Sequence, residues 1–463
     1  MAMWKSLRYK KEPMATVTPG DFINTFNTPF EIKKSECVSC LNVSNRQYPA
    51  LSVRPGSTAM YGTAAAPLTT VNAAGIRAGT TFHVQDGTTW KYWNGSAFAN
   101  IATGLTNASG KIFEFNTAAV RYTILVNGTD KKYSINGTTA VDLTAGPATN
   151  LYCVDDRRLY ALLGTTLSNS ADRSVTDWTT IDDAYSTPIT GMQGTGTALT
   201  AYNDMVIAWS DQTMHILYGN DPFDFQLIDP IDVGCIGNKT VVQLNGALYF
   251  MDYNRIMVFT GGMPVEIGQK VKTYLDNINY TYKSNIVANK WNKYVYWSIP
   301  YGVAQTTNNI TLEYDTELKT FSVWDVGFAE FVNIGQDLYG ITVAGVVRKL
   351  NQGTADDATA ITWEWTSGVW DGTPIKQHKV LSDIWAVVDL PVSSTLNVSY
   401  STDVDGTSFT SLYDFTANAN EQNTRVQVPT TALQNVPWYR LKLSGTGPAT
   451  IHYLETHGRV KAR

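Results

Sequence analysis

Ser401-Thr402-Asp403-Val404-Asp405-Gly406-Thr407-Ser408-Phe409 is the stretch of this sequence most suggestive of chemistry. Asp-x-Asp-Gly opens many calcium loops: two carboxylates offer oxygens to a hard cation, and the glycine allows the sharp turn. Such a loop also needs further oxygen ligands and a bidentate Glu at its end. None follows at that spacing, the nearest acid being Asp414. The same residues make a tight Asp-Gly hairpin without any ion. A hairpin is therefore the expected reading, with no metal site.

The stretch also approaches the Asp-box, Ser-x-Asp-x-Gly-x-Thr-aromatic, that marks blades of sialidase-type propellers. Its glycine falls one residue late, and the motif occurs once. "VQDGTTW" at 84–90 has Gln85 in the Asp slot. A glycosidase of that type needs an arginine cluster, a Tyr nucleophile with a Glu partner, and an acid. The arginines here are scattered: Arg54, Arg77, Arg121, Arg157, Arg158, Arg173 and Arg255. No P-loop, G-x-S-x-G elbow or H-E-x-x-H is present. The expectation is a non-enzymatic chain with no catalytic, cofactor-binding or metal residues.

Cys37-Val38-Ser39-Cys40 is a lone CxxC, and Cys153 and Cys235 lie far off. A zinc ribbon wants a second close pair, and a thioredoxin-type motif wants a βαβ context. Buried, inert thiols are expected. Of the histidines His83, His215, His378, His452 and His457, only the last two are near each other in sequence. Residues five apart on a strand point to opposite faces, so joint ligation is not expected.

The elements that would carry such residues are strands. Of 463 residues only 16% are charged while 12% are aromatic, with 25 Tyr and 35 Gly. The net charge of −5 excludes a chain built to grip nucleic-acid backbone through clustered Lys and Arg. Lys5, Arg8, Lys10 and Lys11 open the chain and Arg459, Lys461 and Arg463 close it; solvated termini are the expected reading. No signal peptide or membrane-spanning run is seen. Asp86-Gly87, Asn94-Gly95, Asn127-Gly128, Asn136-Gly137, Asn245-Gly246, Asp371-Gly372 and Asp405-Gly406 punctuate the chain. These pairs tolerate the positive φ of hairpin turns. The Asn-x-Ser/Thr triplets at Asn127, Asn136 and Asn397 read as turns rather than glycan sites.

Between the turns, short aromatic-rich runs recur as four-strand meanders of about 40–50 residues, the signature of a β-propeller. One meander leaves a face bare; a ring of them covers every face. Helix is expected only in "QKVKTYLDNI", where Val271, Tyr274, Leu275 and Ile278 form one apolar face. After "NQGTADDATA" the strands lengthen, as in "DIWAVVDL" and "WYRLKLSG", which reads as a β-sandwich. The fold class expected is mostly β: a β-propeller of about six or seven blades followed by a C-terminal β-sandwich. The boundaries drawn are 1–50 for an N-terminal arm and opening segment, 51–355 for the propeller and 356–463 for the sandwich, with 353–360 as linker. Trp93, Trp178, Trp209, Trp291, Trp365 and Trp370 are candidates for subunit interfaces or, for most of them, blade cores.

Several segments, in this order, resemble a family of bacteriophage proteins. "NTPFEIKKSECVSCLNVSNRQYPALSVRPG" ends at Arg54-Pro55-Gly56. "DDRRLYALLGTTLSNSADRSVTDW" has an Arg-Leu-Tyr strand followed by Asp-Trp. Gly234-Cys235-Ile236-Gly237 precedes Asn245-Gly246 and Leu248-Tyr249-Phe250, and "TGGMPVEIGQKVKTYLDNI" follows. Together these are similar to the β-propeller tail nozzle, tail hub or packaged-DNA stabilisation proteins of short-tailed phages. The resemblance implies a structural virion protein of the phage tail, assembled in the host cytoplasm as a homo-oligomeric ring of six copies. It implies adaptor and portal-side partners, tail fibres as further ones, and DNA that passes through without sequence-specific binding. A neutral-to-acidic chain is compatible with a sliding duplex. The rivals are a phage adhesin or baseplate-type propeller contacting host glycan, and a propeller glycosidase.

Overall fold

The computed structural model describes residues 12–460 except 61, 62, 65, 156, 220, 221, 372–376, 405 and 406. The chain is mostly β, with 51% of residues in strands and 4% in helix. It divides into two compact units. One comprises 1–57, 320–324 and 351–463; the other comprises 58–319 and 325–350.

The first unit holds two sheets. One runs in the order Val43–Ser44, Leu51–Val53, Thr450–Val460, Lys379–Leu390, Glu421–Val428, with Glu12–Val17 also paired to Thr450–Val460. The other runs Phe22–Ile23, Glu36–Leu41, Thr362–Ser367, Arg440–Thr446, Thr395–Ser401, Thr410–Thr416. Alternation writes the inner faces: Leu381, Ile384, Ala386, Val388 and Leu390 are buried on one strand. The step from Leu381 to Ile384 breaks that period, and a register shift between Leu381 and Asp383 absorbs it.

The segment 1–50, drawn from sequence as an arm, thus carries strands that pair with strands from beyond residue 360. Isolated strand pairs are only marginally stable, and here the partners come from the far end of the chain. The stretch 353–360, drawn as a linker, contains the strands Ala355–Asp356 and Thr359–Ala360. Arg54 holds them. Its Nη1 and Nη2 donate to Asp356 Oδ1 and Oδ2 at 3.2 and 2.7 Å, its Nε donates to Asn42 Oδ1 at 2.8 Å, and its guanidinium lies 5.0 Å from the Trp324 ring. Ser57 Oγ donates to Asp356 Oδ1 at 2.8 Å. A Cβ on Gly56 would fall 1.9 Å from the Ala355 carbonyl oxygen, so only glycine allows this approach. Arg54-Pro55-Gly56 is a clasp.

The second unit is a succession of antiparallel meanders. Val71–Arg77, Thr81–Asp86, Thr89–Trp93 and Phe98–Ala102 form the first; the next four cover 111–142, 152–188, 196–227 and 242–266, each of four strands in chain order. Val287–Trp291, Tyr294–Ile299 and Ile310–Asp315 follow, then Phe328–Ile334, Asp337–Thr342 and Val347–Leu350. Met60 N donates to Val347 O at 2.7 Å, so the start of the unit is tied to its last meander.

Neighbouring meanders pack face to face. Ala73 and Trp90 meet Ile112 and Leu125. Phe115 and Ile124 meet Tyr152 and Leu159. Tyr160 and Leu162 meet Leu199 and Val206, and Ile207 and Trp209 meet Leu248 and Phe250. The series closes where Phe82 and Val84 of the first meander pack on Val332, Ile341 and Val347 of the last. A closed ring is the arrangement that lets each two-faced sheet bury both sides.

The turns follow their chemistry. Asn245 and Gly246 both have positive φ, 51° and 72°, in the two-residue link between Val242–Leu244 and Ala247–Asp252. Gly87, Gly95, Gly128 and Gly137 also have positive φ. Gly372 and the pair Asp405-Gly406 lie outside the described residues, as do Lys5, Arg8, Lys10, Lys11, Lys461 and Arg463. The expected helix is present but shorter: a 3-10 turn at Gly268–Val271 and an α-helix at Lys272–Asp276. Val271, Leu275 and Ile278 are buried, and Tyr274 lies 5.2 Å from the Tyr301 ring.

Candidate functional site

The CxxC pair lies on Glu36–Leu41. A register shift between Cys37 and Ser39 lets residues three apart both turn inward. All four cysteines are buried and free. Burial, then the neighbouring Cys40 and Glu36, pushes the Cys37 thiol up, and burial pushes Cys153 and Cys235 up to about 12. Thiols held protonated are poor nucleophiles and poor metal ligands.

Each histidine has its own surroundings. His452 Nε2 lies 2.7 Å from Asp389 Oδ2, and His457 Nδ1 lies 2.8 Å from Asp383 Oδ1. His215 Nε2 is 3.1 Å from Thr213 Oγ1, and His378 Nδ1 is 3.1 Å from the Asn435 carbonyl. His83 is buried with both ring nitrogens unpartnered, 5.9 Å from the Trp90 ring and 6.1 Å from Tyr92. Among the described residues no group of three His, Cys, Asp or Glu could hold a metal ion.

The arginines engage separate partners. Arg121 faces Glu114, Arg157 faces Asp172, Arg158 faces Asp183 and Arg255 faces Asp252. Arg77 donates to Thr123 Oγ1 and to the carbonyls of Arg121, Ser134 and Ile135. Around 401–409, Asp403 N donates to Ser401 Oγ at 3.1 Å. Arg440 Nη1 donates to Val404 O at 2.6 Å, the guanidinium carbon of Arg440 lies 5.5 Å from the Phe409 ring centre, and Trp438 Nε1 donates to Thr402 O at 2.9 Å. These contacts hold a loop by its carbonyls and leave Asp403 exposed. The candidate tryptophans divide. Trp209, Trp365 and Trp370 are fully buried, while Trp93, Trp178 and Trp291 are partly buried against Phe98, Tyr152 and Tyr294. The large apolar side chains that reach solvent are others: Val303 at 87%, Ile181 at 85%, Phe223 at 79% and Met263 at 70% exposure.

The convergent polar site lies within the second unit, where the leading ends of the meanders' first strands meet. Two adjoining cavities of about 260 and 210 Å³ share Ser109, Lys239 and Ser284. Every meander contributes: Asn72, Ser109, Asn150, Thr197, Lys239, Ser284 and Ala329 each lie in, or just before, a first strand. The axis of the ring is therefore lined by backbone ends and small polar side chains.

Lys239 crosses it. Its Nζ lies 2.6 Å from Glu330 Oε2 and donates to Asn72 O at 2.7 Å. The local chain explains how the lysine gets there. A Cβ on Gly234 would lie 2.0 Å from the Asp211 carbonyl oxygen, so glycine lets the strand pass. Cys235 N then donates to Ser210 O at 2.9 Å, Thr197 Oγ1 donates to Cys235 O at 2.6 Å, and Asn238 Oδ1 accepts from Leu199 N at 3.2 Å. The 3-10 turn Asn238–Thr240 follows, its Thr240 carbonyl accepting from Trp297 Nε1 at 3.1 Å. Gly234-Cys235-Ile236-Gly237 is the device that aims Lys239 at the axis. Lys239, Glu330 and Asn308 were missed from sequence. The first sits two residues past a Gly-rich motif, which was its one local signal; Glu330 and Asn308 had none.

No family model matches the chain, and no curated protein matches its sequence. Among solved structures, BamB from Moraxella catarrhalis is similar at 10% identity and a TM-score of 0.41, over 68% of this chain and 96% of that one. A catalytically inactive virginiamycin B lyase from Staphylococcus aureus, solved with quinupristin, is similar at 9% identity and a TM-score of 0.44, over 64% and 98%. A streptogramin B lyase structure gives 9% and 0.42, over 64% and 96%. Likeness at this level does not extend to what those proteins bind or catalyse.

Proposed function

We propose that this chain is a structural virion protein of a phage tail, a nozzle or hub subunit that assembles as a homo-oligomeric ring, extends the DNA channel, helps retain packaged DNA and supports its ejection. In this reading the meanders are the seven blades of a propeller, and the two six-stranded sheets of the first unit form the sandwich. The observation that carries it is the role of the resembling motifs. Arg54-Pro55-Gly56 is a clasp, Gly234-Cys235-Ile236-Gly237 a strand-to-axis guide and Asn245-Gly246 a hairpin. Those motifs serve architecture, as a shared scaffold requires. Exposed Ile181, Phe223, Met263 and Val303 supply apolar surface for contacts between copies.

The axis of the meander ring offers no path for a duplex. Its cavities hold about 260 and 210 Å³ and Lys239 spans them, whereas the DNA major groove alone is about 12 Å wide. The duplex would run along the symmetry axis of the assembled ring, between subunits, with adaptor and portal-side proteins above. Mass photometry and negative-stain imaging of the purified protein test this. Closed rings of about six copies are expected, and a cryo-EM map of the particle should locate the chain at the tail. A protein that stays monomeric at micromolar concentration, and is absent from purified virions, overturns the reading.

A further inference from the structure

We propose that the outer rim of the third and fourth meanders, acidic and apolar at once, docks residues 1–11 of a neighbouring copy of this chain. The proposal rests on the ring assembly proposed above and names a contact that would build it. Three observations point to it. The first is a charge gap. Between Arg173 and Lys239 the chain has nine Asp and no Lys, Arg or Glu. The nearby cations are taken: Arg157 faces Asp172, Arg158 faces Asp183 and Lys283 faces Asp211. Asp182, Asp229 and Asp232 are exposed and pair with no cation among the described residues.

The second is apolar surface among those charges. Tyr185–Pro188 and Gln226–Leu227 are the last strands of the third and fourth meanders. Phe225 joins them, its ring 6.5 Å from Tyr185 and 6.3 Å from Tyr160. Around this contact Ile181, Tyr185, Phe223, Leu227 and Ile228 are exposed. Grouped exposed apolar side chains mark a contact surface. The carboxylates among them repel phosphate, which excludes nucleic acid as the occupant, and a bare cation would leave the apolar groups uncovered. The third observation is a segment that matches on both counts. Residues 1–11 carry Lys5, Arg8, Lys10 and Lys11 and no acid, with Met3, Trp4, Leu7 and Tyr9 interspersed. They lead into Glu12–Val17, which Thr450–Val460 anchors. Eleven residues reach at most about 36–40 Å, enough to cross from one subunit to the next. A donor segment and an acceptor rim on different parts of one chain make a heterologous contact, the kind that closes into rings.

Charge reversal in two halves tests it. Asp182→Lys, Asp229→Lys and Asp232→Lys together reverse the rim; Lys5→Glu, Arg8→Glu, Lys10→Glu and Lys11→Glu together reverse the segment. Alone, each full-length variant should keep the wild-type melting temperature and self-associate about a hundredfold more weakly by mass photometry, because like charges then meet. Mixed, the two should assemble again: the reversed rim of one meets the reversed segment of the other, and the unaltered halves meet likewise. Docking within one chain gains nothing from mixing. Where the wild type assembles, a reversed variant that assembles as well as wild type, or a mixture that stays apart, overturns the proposal. A second measurement needs no variant. Carbodiimide cross-linking of mixed isotope-labelled and unlabelled wild type should join Lys5, Lys10 or Lys11 of one copy to Asp182, Asp229 or Asp232 of another. Links confined to one chain, or made from Lys461 instead, overturn the proposal. Rings without these links overturn it and leave the nozzle reading standing. Links between copies that form no closed ring support the contact and count against the nozzle.

Discussion

His83 should make the meander ring acid-sensitive well above the carboxylate range. The side chain is fully buried on Thr81–Asp86, beside Trp90 and Tyr92, with no partner for either nitrogen. Burial first, and the Arg77 charge second, lower its pKa from 6.5 to about 4. In the unfolded chain it titrates near 6.5. Between these values the unfolded state binds a proton that the folded state refuses, so stability falls as pH falls. The contribution is complete above 6.5 and is lost on the way down to about 4. Each unit is worth about 1.4 kcal/mol, so the shift to about 4 gives a full span of about 3.4 kcal/mol, of which about 2.5 kcal/mol is lost between pH 7.5 and 4.5. His83→Leu removes the titration and puts an apolar group where neither ring nitrogen had a partner. Urea unfolding followed by tryptophan fluorescence at pH 7.5, 6.5, 5.5 and 4.5 reports on this region through Trp90, 5.9 Å away. His215, also lowered by burial, contributes equally to both proteins and cancels in the difference. The wild type should lose about 2.5 kcal/mol more than His83→Leu over that range. Curves that stay parallel from pH 7.5 to 4.5 refute the argument.

Arg54→Ala should cost the first unit about 3–5 kcal/mol, because it takes the buried guanidinium and its two hydrogen bonds away from the Asp356 carboxylate and leaves Ser57 as a neutral donor; urea unfolding of that unit reads it out, and a loss below 1 kcal/mol would deny the clasp. The turn Asn203-Asp204 has φ of 47° and 59° and contains no glycine, so Asp204→Gly should stabilise by up to about 1 kcal/mol, visible as a higher melting temperature. Asp403→Ala should leave the melting temperature in 5 mM calcium (roughly the level that saturates the weakest protein sites) equal to that in chelator, as in the wild type; a calcium-dependent shift lost on substitution would restore a metal loop at 401–409.

The sequence by itself determined the strand content, the hairpins and the periodic meanders. Those are local matters: a residue's tolerance of positive φ, as at Asn245 and Gly246, and the alternation that buries one face of a strand. It also disclosed the short helix, because Val271, Leu275 and Ile278 share a face at helical spacing. Asn203-Asp204 escaped notice because its backbone takes positive φ without the glycine that announces it. Tertiary structure alone decided the rest. Cys37 and Cys40 turn inward together only because a register shift resets the period. Glu12–Val17, Glu36–Leu41 and Leu51–Val53 find partners beyond residue 360, which local pattern cannot name. Asn72, Lys239 and Asn308 come from three separate segments and line one cavity because closing a ring of sheets brings the leading ends of its first strands together. Closure is a long-range event, so the site it creates has no counterpart in the spacing of residues along the chain.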